Sequence, residues 1–297
     1  MGKIGFIGLG IMGKPMAKNL IEAKCDLLVN DIDKGAEEAL AVLGATIATP
    51  AEMAPVCDVI FTILPNGAVV QQVLLGADGV TKNPKEGLVV VDMSSVTPTE
   101  SQTCAEGLAA CGIEFLDCPV SGGEPGAIAG TLAFMCGGKQ EVFDRVMPYF
   151  EIMGSSAILI GGTGSGSVTK LANQVIVNLT IAAVSEALVL ATKAGADPEK
   201  VYKAIRGGLA GSNVLDAKAP MMIARNFVPG GKISINHKDI KNVVNTAHDL
   251  DVPVPLSSQL FEIMQALKVA GHMEDDHGGI VQYFEKLADV EVKKLGE

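Results

Sequence analysis

Apolar residues in the first half of the chain follow two patterns that alternate. Short continuous apolar runs, such as Val59–Leu64 and Leu88–Val91, are separated by longer segments with the spacing of helices. Continuous apolar character is typical of parallel strands that are covered on both faces. The alternation therefore predicts an α/β domain over residues 1–162, built from βαβ units around a parallel sheet.

Eight segments of this first domain are predicted to be strands. They are Lys3–Ile7, Asp26–Asn30, Thr46–Ala48, Val59–Leu64, Leu88–Asp92, Ile113–Leu116, Thr131–Cys136 and Ala157–Ile160. Short loops follow the fourth and fifth strands, at Pro65–Gly67 and Met93–Val96. Because ligands bind at the carboxyl ends of strands in such sheets, these loops are candidate binding segments.

The pattern changes after the glycine-rich segment Gly161–Gly166. An uninterrupted helical pattern runs from Ser167 to about Ala194 and is ended by Gly195 and Pro198. Residues 195–297 predict helices separated by Gly, Pro and Asn, with no convincing strand. We therefore predict a nucleotide domain (1–162), a connecting helix (163–194) and an all-helical second domain (195–297).

A dinucleotide-binding fingerprint occupies the start of the chain. The strand Lys3–Ile7 leads into a G-x-G-x-x-G turn and a helix, and an acidic residue follows the second strand. The turn permits close approach of a pyrophosphate, which the N–H groups of the helix start can bind. The residues expected to contact the cofactor here are Gly8, Gly10, Ile11, Met12, Gly13 and Asp31. The alternative is that the glycines only form a turn between strand and helix.

Asp31 also bears on which dinucleotide binds. Its carboxylate could accept hydrogen bonds from the adenine ribose hydroxyls, whereas it would repel a 2′-phosphate. The next residue is Ile32 rather than an arginine that could offset that repulsion. We expect NAD as the cofactor, with NADP as the alternative.

Composition and charge restrict the class of protein. Hydrophobic residues make up 48% and charged residues 19% of the 297 residues, as in a folded globular protein. The net charge of −11 argues against nucleic acid as a partner. No apolar run approaches the roughly 20 residues that span a bilayer. Because the sequence begins with a predicted strand, we expect no signal or transit peptide. We expect a cytoplasmic protein without a membrane partner.

Hydride transfer to or from a nicotinamide also requires a group that exchanges a proton with the substrate oxygen. The four histidines are scattered late in the chain, in no clear catalytic pattern. Lys170 is the stronger candidate, because it follows the glycines on the first turns of the connecting helix, with Asn173 and Gln174 one turn further along. A lysine on a helix is, however, usually a solvated surface charge.

Four segments resemble, in order, the signature motifs of the β-hydroxyacid dehydrogenase family, which includes the 3-hydroxyisobutyrate dehydrogenases. They are Gly8–Leu20, Asp117–Gly123, Gly164–Gln174 and His237–Asp239. The resemblance implies a Rossmann nucleotide domain, a helical domain that builds oligomer contacts, and an active site between them. It also implies a small-molecule hydroxy acid or semialdehyde substrate and a homo-oligomer, either a dimer or a tetramer.

The resemblance further implies roles for individual residues. Lys170 corresponds to the catalytic acid/base, and either Asn173 or Gln174 to the group that positions the substrate. This point stays open because the family often has asparagine where this chain has Gln174. Ser121, Gly122 and Gly123 correspond to the loop that holds the substrate carboxylate, although a plain turn is the alternative. The further cofactor contacts implied are Leu64, Pro65, Asn66, Ser95 and Lys238.

Within the family, the resemblance implies reduction of tartronate semialdehyde (2-hydroxy-3-oxopropanoate) to D-glycerate. Relatives commonly carry an aromatic residue where this chain has Gly230–Gly231, and glycine there would enlarge the pocket and admit a bulkier acid. The alternative substrates are 3-hydroxyisobutyrate and 2-(hydroxymethyl)glutarate. His237 could contact a second substrate carboxylate, although packing of the ring is the simpler interpretation.

Two alternatives are a non-catalytic NAD(P)-binding module and a metal site late in the chain. A non-catalytic NAD(P)-binding module would be expected to have lost the lysine, but Lys170 is present together with Ser121–Gly123. The segment His272–His277 could be interpreted as a metal site. We interpret it instead as an exposed turn and helix start, and expect no metal.

Overall fold

The computed structural model describes residues 2–294. They form two compact units, residues 2–170 and residues 171–294, and the division falls inside one long helix. That helix, α8 (Ser165–Lys193), corresponds to the predicted connecting helix.

The first unit contains a nine-stranded sheet. Its strands are β1 (Ile4–Ile7), β2 (Leu27–Asn30), β3 (Thr46–Ile47), β4 (Val59–Thr62), β5 (Val89–Asp92), β6 (Glu114–Asp117), β7 (Val120–Ser121), β8 (Leu132–Gly137) and β9 (Gly154–Gly161). The strand order is β3-β2-β1-β4-β5-β6-β8-β7, with β9 beside β8. The first six strands in this order are parallel and place their carboxyl ends at one edge of the sheet.

The expectation of a parallel sheet is wrong at one end. Strand β8 pairs antiparallel with both β6 and β7, through Asp117 with Gly137 and Val120 with Phe134. Strand β7 was not predicted, since two residues are too short to show a periodic pattern. The seven-residue helix that follows it, Gly123–Ala129, returns the chain beside its own strand. Such a return favours antiparallel pairing, because parallel neighbours need a longer crossover.

Seven helices accompany the sheet. They are α1 (Gly13–Glu22), α2 (Lys34–Ala41), α3 (Pro50–Met53), α4 (Gly67–Leu75), α5 (Pro98–Ala109), α6 (Gly123–Ala129) and α7 (Gln140–Met153). Successive residues of β5 belong to different cores: Val89 and Val91 pack in one hydrophobic cluster, whereas Val90 packs in another. Because side chains alternate along a strand, the two clusters cover opposite faces of the sheet. This arrangement confirms the predicted α/β class.

The second unit continues α8 and adds five helices. These are α9 (Pro198–Ile205), α10 (Asn213–Ile223), α11 (Ile233–Asp249), α12 (Pro255–Val269) and α13 (Val281–Ala288), with a 3₁₀ helix at His277–Ile280. Its own core includes Ile181, Met222, Ile240 and Met264, all fully buried. Between residues 171 and 294, β-type pairing is limited to an isolated bridge between Lys232 and Asp276.

Helix α8 is long and apolar enough to cross a membrane, judged by length and composition only, with a mean hydropathy of 2.0 in its most apolar window. It contains no uninterrupted apolar run of about 20 residues, because polar and charged residues such as Glu186 divide it. Within that window 33% of the residues are buried, and core helices of globular proteins meet the same criteria. The helix is therefore weak evidence for a membrane span.

Candidate active site

The three glycines of the N-terminal turn meet different surroundings. Gly8 has a φ of +99°, and a Cβ there would lie 2.2 Å from the Ile63 carbonyl oxygen. A Cβ on Gly13 would lie 1.9 Å from the Gly8 carbonyl oxygen, so helix and strand pack without room for a side chain. A Cβ on Gly10 would have nothing within 4 Å. The backbone itself requires Gly8 and Gly13, whereas Gly10 leaves an open approach for a ligand.

The start of α1 faces that opening. The residue before the helix, Met12, makes no side-chain hydrogen bond to the first turn. The first N–H groups of a helix have no partner within the helix and attract anions. A cavity of about 380 Å³ lies beside this turn, lined by Leu9, Gly10, Ile11, Lys14, Pro15, Asp33, Gly35, Ala36 and Glu124. The residues present therefore fit the pyrophosphate of a dinucleotide.

Asp31 lies immediately after β2 and is already bound to the glycine turn. Its Oδ2 accepts a hydrogen bond from the Leu9 backbone N–H, and its Oδ1 accepts one from the Asp33 N–H at 2.8 Å. Each carboxylate oxygen can accept a further bond, so both remain capable of accepting ribose hydroxyls. The nearby Lys34 ammonium is engaged by the Glu37 carboxylate at 2.9 Å. The carboxylates of this segment would repel a 2′-phosphate.

A buried network supports the two predicted loops after β4 and β5. Asp92 Oδ1 accepts hydrogen bonds from the hydroxyls of Thr62, at 2.7 Å, and Ser94, at 2.5 Å. The Ser94 hydroxyl oxygen in turn accepts the Leu64 N–H at 2.8 Å. Asp92 is 1% exposed, and its burial raises its pKa to about 6. Sequence reasoning missed this network. It holds the loop at Leu64 against Ser94, which directly precedes the predicted cofactor residue Ser95.

Asn66 has a structural task in the same region. Its side-chain oxygen accepts a hydrogen bond from the Val69 N–H at 3.0 Å and so caps α4. Pro65 lies in the same loop, between the end of β4 and the start of α4. The predicted cofactor residues of the first unit therefore lie after the carboxyl ends of β1, β2, β4 and β5, which are adjacent strands.

Lys170 lies next to the predicted substrate loop. Its Nζ donates a hydrogen bond to the Val120 carbonyl oxygen at 2.7 Å, and Ser121 follows directly. Gly122 and Gly123 have φ values of +137° and +61°, which favour glycine, and α6 begins at Gly123. The segment is thus the end of a strand and the start of a helix. The structure therefore brings together, within the first unit, the predicted acid Lys170 and the predicted substrate loop Ser121–Gly123.

Asn173 and Gln174 belong to the second unit and have different surroundings. The Gln174 amide is buried, and its Nε2 donates to Asp239 Oδ2 at 2.6 Å and to Asn236 Oδ1 at 3.4 Å. Its Oε1 accepts a hydrogen bond from Asn173 Nδ2 at 3.0 Å. The bond from Nε2 to the Asp239 oxygen and the bond from Asn173 to Oε1 together fix which way the Gln174 amide points. Asn173 is only half-buried.

His237 and Lys238 lie on α11 of the second unit. The His237 ring stacks on Phe261 with 4.8 Å between ring centroids, and its Nε2 lies 2.6 Å from Gln265 Oε1. These contacts agree with a packed histidine rather than a substrate ligand. The Lys238 ammonium lies 3.3 Å from Asp239 Oδ1. Lys238 therefore adjoins the same buried carboxylate that holds Gln174.

The interpretation of residues 272–277 as an exposed turn is wrong at Asp276, whereas His277 is half-buried and begins a 3₁₀ helix. Asp276 is fully buried and accepts hydrogen bonds from the Lys218 ammonium at 2.8 Å and from the Gly230 and Gly231 N–H groups. Burial lowers the pKa of His277 to about 4. A cation from another helix and a glycine loop enclose this segment, which spacing alone does not reveal. Over residues 2–294 no group of three His, Cys, Asp or Glu side chains could hold a metal ion.

Two family models together match nearly the whole chain. Residues 3–162 match the NAD binding domain of 6-phosphogluconate dehydrogenase. Residues 164–284 match the family described as NAD-binding of NADP-dependent 3-hydroxyisobutyrate dehydrogenase. Both matches indicate an NAD(P) cofactor.

Individual relatives are similar over their full length. The 2-hydroxy-3-oxopropionate reductase of Escherichia coli (strain K12) is 42% identical over 97% of this chain and 98% of its own. The 2-(hydroxymethyl)glutarate dehydrogenase of Eubacterium barkeri is 34% identical over 98% and 97%. The crystal structure of 3-hydroxyisobutyrate dehydrogenase from Salmonella typhimurium has a TM-score of 0.86 and 29% identity, covering 95% of this chain and 99% of that one. With these matches, the chain belongs to the 3-hydroxyisobutyrate dehydrogenase-related family of NAD(P)-dependent β-hydroxyacid dehydrogenases.

Proposed function

We propose that this protein reduces tartronate semialdehyde to D-glycerate, reversibly and with NADH, and that Lys170 is the general acid and base. The observation that carries the proposal is the 2.7 Å hydrogen bond from Lys170 Nζ to the Val120 carbonyl oxygen, directly before Ser121. It holds a proton donor beside the loop proposed to bind the substrate. The 42% identity to a reductase of this semialdehyde supports the choice of substrate.

The proton transfer follows from the chemistry of the lysine. An ammonium group donates up to three hydrogen bonds, so Nζ can keep its bond to Val120 and still face a substrate oxygen. A bound nicotinamide supplies the hydride in reduction. Lys170 then donates a proton to the carbonyl oxygen of the substrate, and in oxidation it accepts the proton of the hydroxyl group.

The substrate carboxylate is assigned to Ser121, Gly122 and Gly123. Backbone N–H groups of glycine can approach a carboxylate closely, because no side chain stands in the way. The positive φ values of both glycines turn the backbone sharply after β7. The Ser121 hydroxyl adds a further donor. These groups would orient the aldehyde carbon of the substrate relative to Lys170.

We assign substrate positioning to Asn173 and a supporting role to Gln174. Both polar ends of the Gln174 amide are engaged inside the second unit, by Asp239 and by Asn173. Asn173 donates one N–H to Gln174 and keeps its Oδ1 and second N–H for other partners. These contacts support Asn173 as the positioning residue.

A bulkier β-hydroxy acid is the second candidate substrate, and Gly231 is the observation that favours it. A Cβ at Gly231 would meet only the His277 ring, at 3.8 Å, so the loop leaves room where a side chain could project. The relative named 2-(hydroxymethyl)glutarate dehydrogenase is 34% identical. Both 2-(hydroxymethyl)glutarate and 3-hydroxyisobutyrate therefore belong among the test substrates. The cytoplasmic location and the dimer or tetramer remain predictions.

Steady-state rates test this assignment. NADH oxidation is followed with tartronate semialdehyde and related semialdehydes, and NAD reduction with the matching hydroxy acids. Lys170→Ala should lower kcat by about 10²–10⁴-fold, the usual contribution of a general acid, with the Kd for NADH unchanged. Lys193→Ala, at the other end of the same helix, is the matched control and should keep kcat. A Lys170→Ala variant that turns over at the wild-type rate would refute the proposed role of Lys170. A larger kcat/KM for another acid or semialdehyde would identify that compound as the substrate instead.

A further inference from the structure

Asp117 is the last residue of β6, and its side chain caps the start of α8, which follows 47 or more residues later in the sequence. Its Oδ1 accepts a hydrogen bond from the Gly164 N–H and its Oδ2 one from the Ser167 N–H, both at 2.8 Å. The first N–H groups of a helix need partners from outside the helix, and Gly164 has no side chain that could supply one. Asp117, which is 1% exposed, supplies both.

The helix start lies directly against the strand ends. A Cβ on Gly166 would lie 2.2 Å from the Asp117 carbonyl oxygen and 2.4 Å from that of Met135. A Cβ on Gly137 would lie 2.5 Å from Asp117 Oδ1. On another side, the Ser167 hydroxyl is 2.9 Å from the Ser101 hydroxyl. The first turn of α8 therefore has one close-packed position on the sheet.

Both the backbone and the side-chain ammonium group of Lys170 are positioned by this junction between α8 and the sheet. Its backbone follows Ser167 by three residues, which places the two on neighbouring turns of one helix face. Its Nζ donates to the carbonyl oxygen of Val120, three residues after Asp117. We propose that Asp117 is a positioning residue for the reaction, because its carboxylate clamps the first turn of α8 onto β6 and so fixes Lys170 beside the substrate loop. This inference rests on the proposed role of Lys170.

The clamp requires a carboxylate rather than an amide. Two N–H groups point at two different oxygens, whereas asparagine offers one acceptor and would turn its own N–H₂ group against the other donor. The carboxylate charge also matches the partial positive charge at the helix start. Burial raises the pKa of Asp117, and the bonds from Gly164 and Ser167 oppose that rise.

Asp117→Asn tests the proposal in the full-length enzyme through steady-state oxidation of NADH and a double-mutant cycle with Lys170→Ala. Displacement of an acid by about 1 Å can cost about 100-fold in rate, so we expect kcat to fall by about 10- to 100-fold. The KM for NADH should change less than twofold. In the Lys170→Ala background, Asp117→Asn should cause no further loss, since residues that act as a unit are not additive.

Control variants separate positioning from general destabilisation. Val146→Ala removes methyl groups from the buried face of α7 and should lower the melting temperature while kcat is kept. Ser167→Ala removes one hydroxyl from the junction without disturbing the backbone bonds, and it should lower kcat a few-fold with the same non-additivity, even if Asp117→Asn does not fold. An equal fractional loss in the presence and absence of Lys170, or unchanged kcat in both variants, would overturn the proposal. Failure of Lys170→Ala to reduce turnover would instead refute the proposed function.

Discussion

Alanine at Gly10 and alanine at Gly13 should affect different properties of the protein. A Cβ at Gly13 would lie 1.9 Å from the Gly8 carbonyl oxygen and 2.9 Å from Ile63 Cγ2, whereas a Cβ at Gly10 would have nothing within 4 Å. The added methyl group meets the protein in one case and empty space in the other. We expect Gly13→Ala to lower stability and Gly10→Ala to weaken cofactor binding.

The magnitudes follow from these distances. Real Cβ atoms do not approach a neighbour within 3.0 Å, so α1 must move away from β1 by about 1 Å in Gly13→Ala. Overpacking of this kind typically costs about 1–3 kcal/mol. Gly10→Ala should change the free energy of unfolding by less than about 0.5 kcal/mol. Because its methyl group would stand where the pyrophosphate must approach, the Kd for NADH should rise at least about tenfold, or about 1.4 kcal/mol.

Urea unfolding and fluorescence titration with NADH measure the two effects separately. Gly207→Ala, in the second unit, is the matched control, because a Cβ there also meets nothing within 4 Å. It should leave the Kd unchanged and show the intrinsic effect of glycine replacement on stability. If Gly10→Ala binds NADH as tightly as the wild type does, the glycine segment is only a turn, and the reasoning about the cofactor fails.

Three further predictions concern the cofactor, the substrate and pH. Asp31→Ser should remove a repulsive carboxylate and raise kcat/KM for NADPH relative to NADH; an unchanged ratio would contradict the proposed preference. Gly231→Phe should fill the space beside His277 and narrow turnover towards three-carbon acids, which a substrate panel would detect or refute. Burial raises the pKa of Asp92 from 3.8 to about 6, so the folded state keeps this proton after the unfolded state has lost it. Stability should therefore fall as pH rises from about 4 to about 6, and Asp92→Asn should flatten that slope and stabilise the protein at pH 7 by up to about 3 kcal/mol. Urea midpoints with the same pH dependence in both proteins would exclude this origin.

Local pattern was sufficient to predict most of the first unit. The alternation of apolar runs and helical segments predicted eight of its strands. Burial on both faces is recorded in consecutive residues of β1, β4 and β5, all of which are buried. The long helix α8, Ser165–Lys193, was predicted over nearly its whole length, since residues 167–193 contain no glycine or proline. Strand β7 and the antiparallel pairing of β8 were not predicted, because two residues carry no period and strand direction depends on the path of the chain.

The sequence by itself determined the fold class, the glycine turn with Asp31, and, through resemblance, the family and Lys170 as the candidate acid. Only the tertiary structure decided which partners these residues have. Lys170 meets the carbonyl oxygen of Val120 across 50 positions, Gln174 meets Asp239 across 65, and Asp117 meets the start of α8 across 47. A periodic pattern reports which face of an element is buried, whereas these contacts depend on which elements pack together and at what distance. Hydrogen bonds weaken steeply with distance and angle, so only the packed chain specifies them.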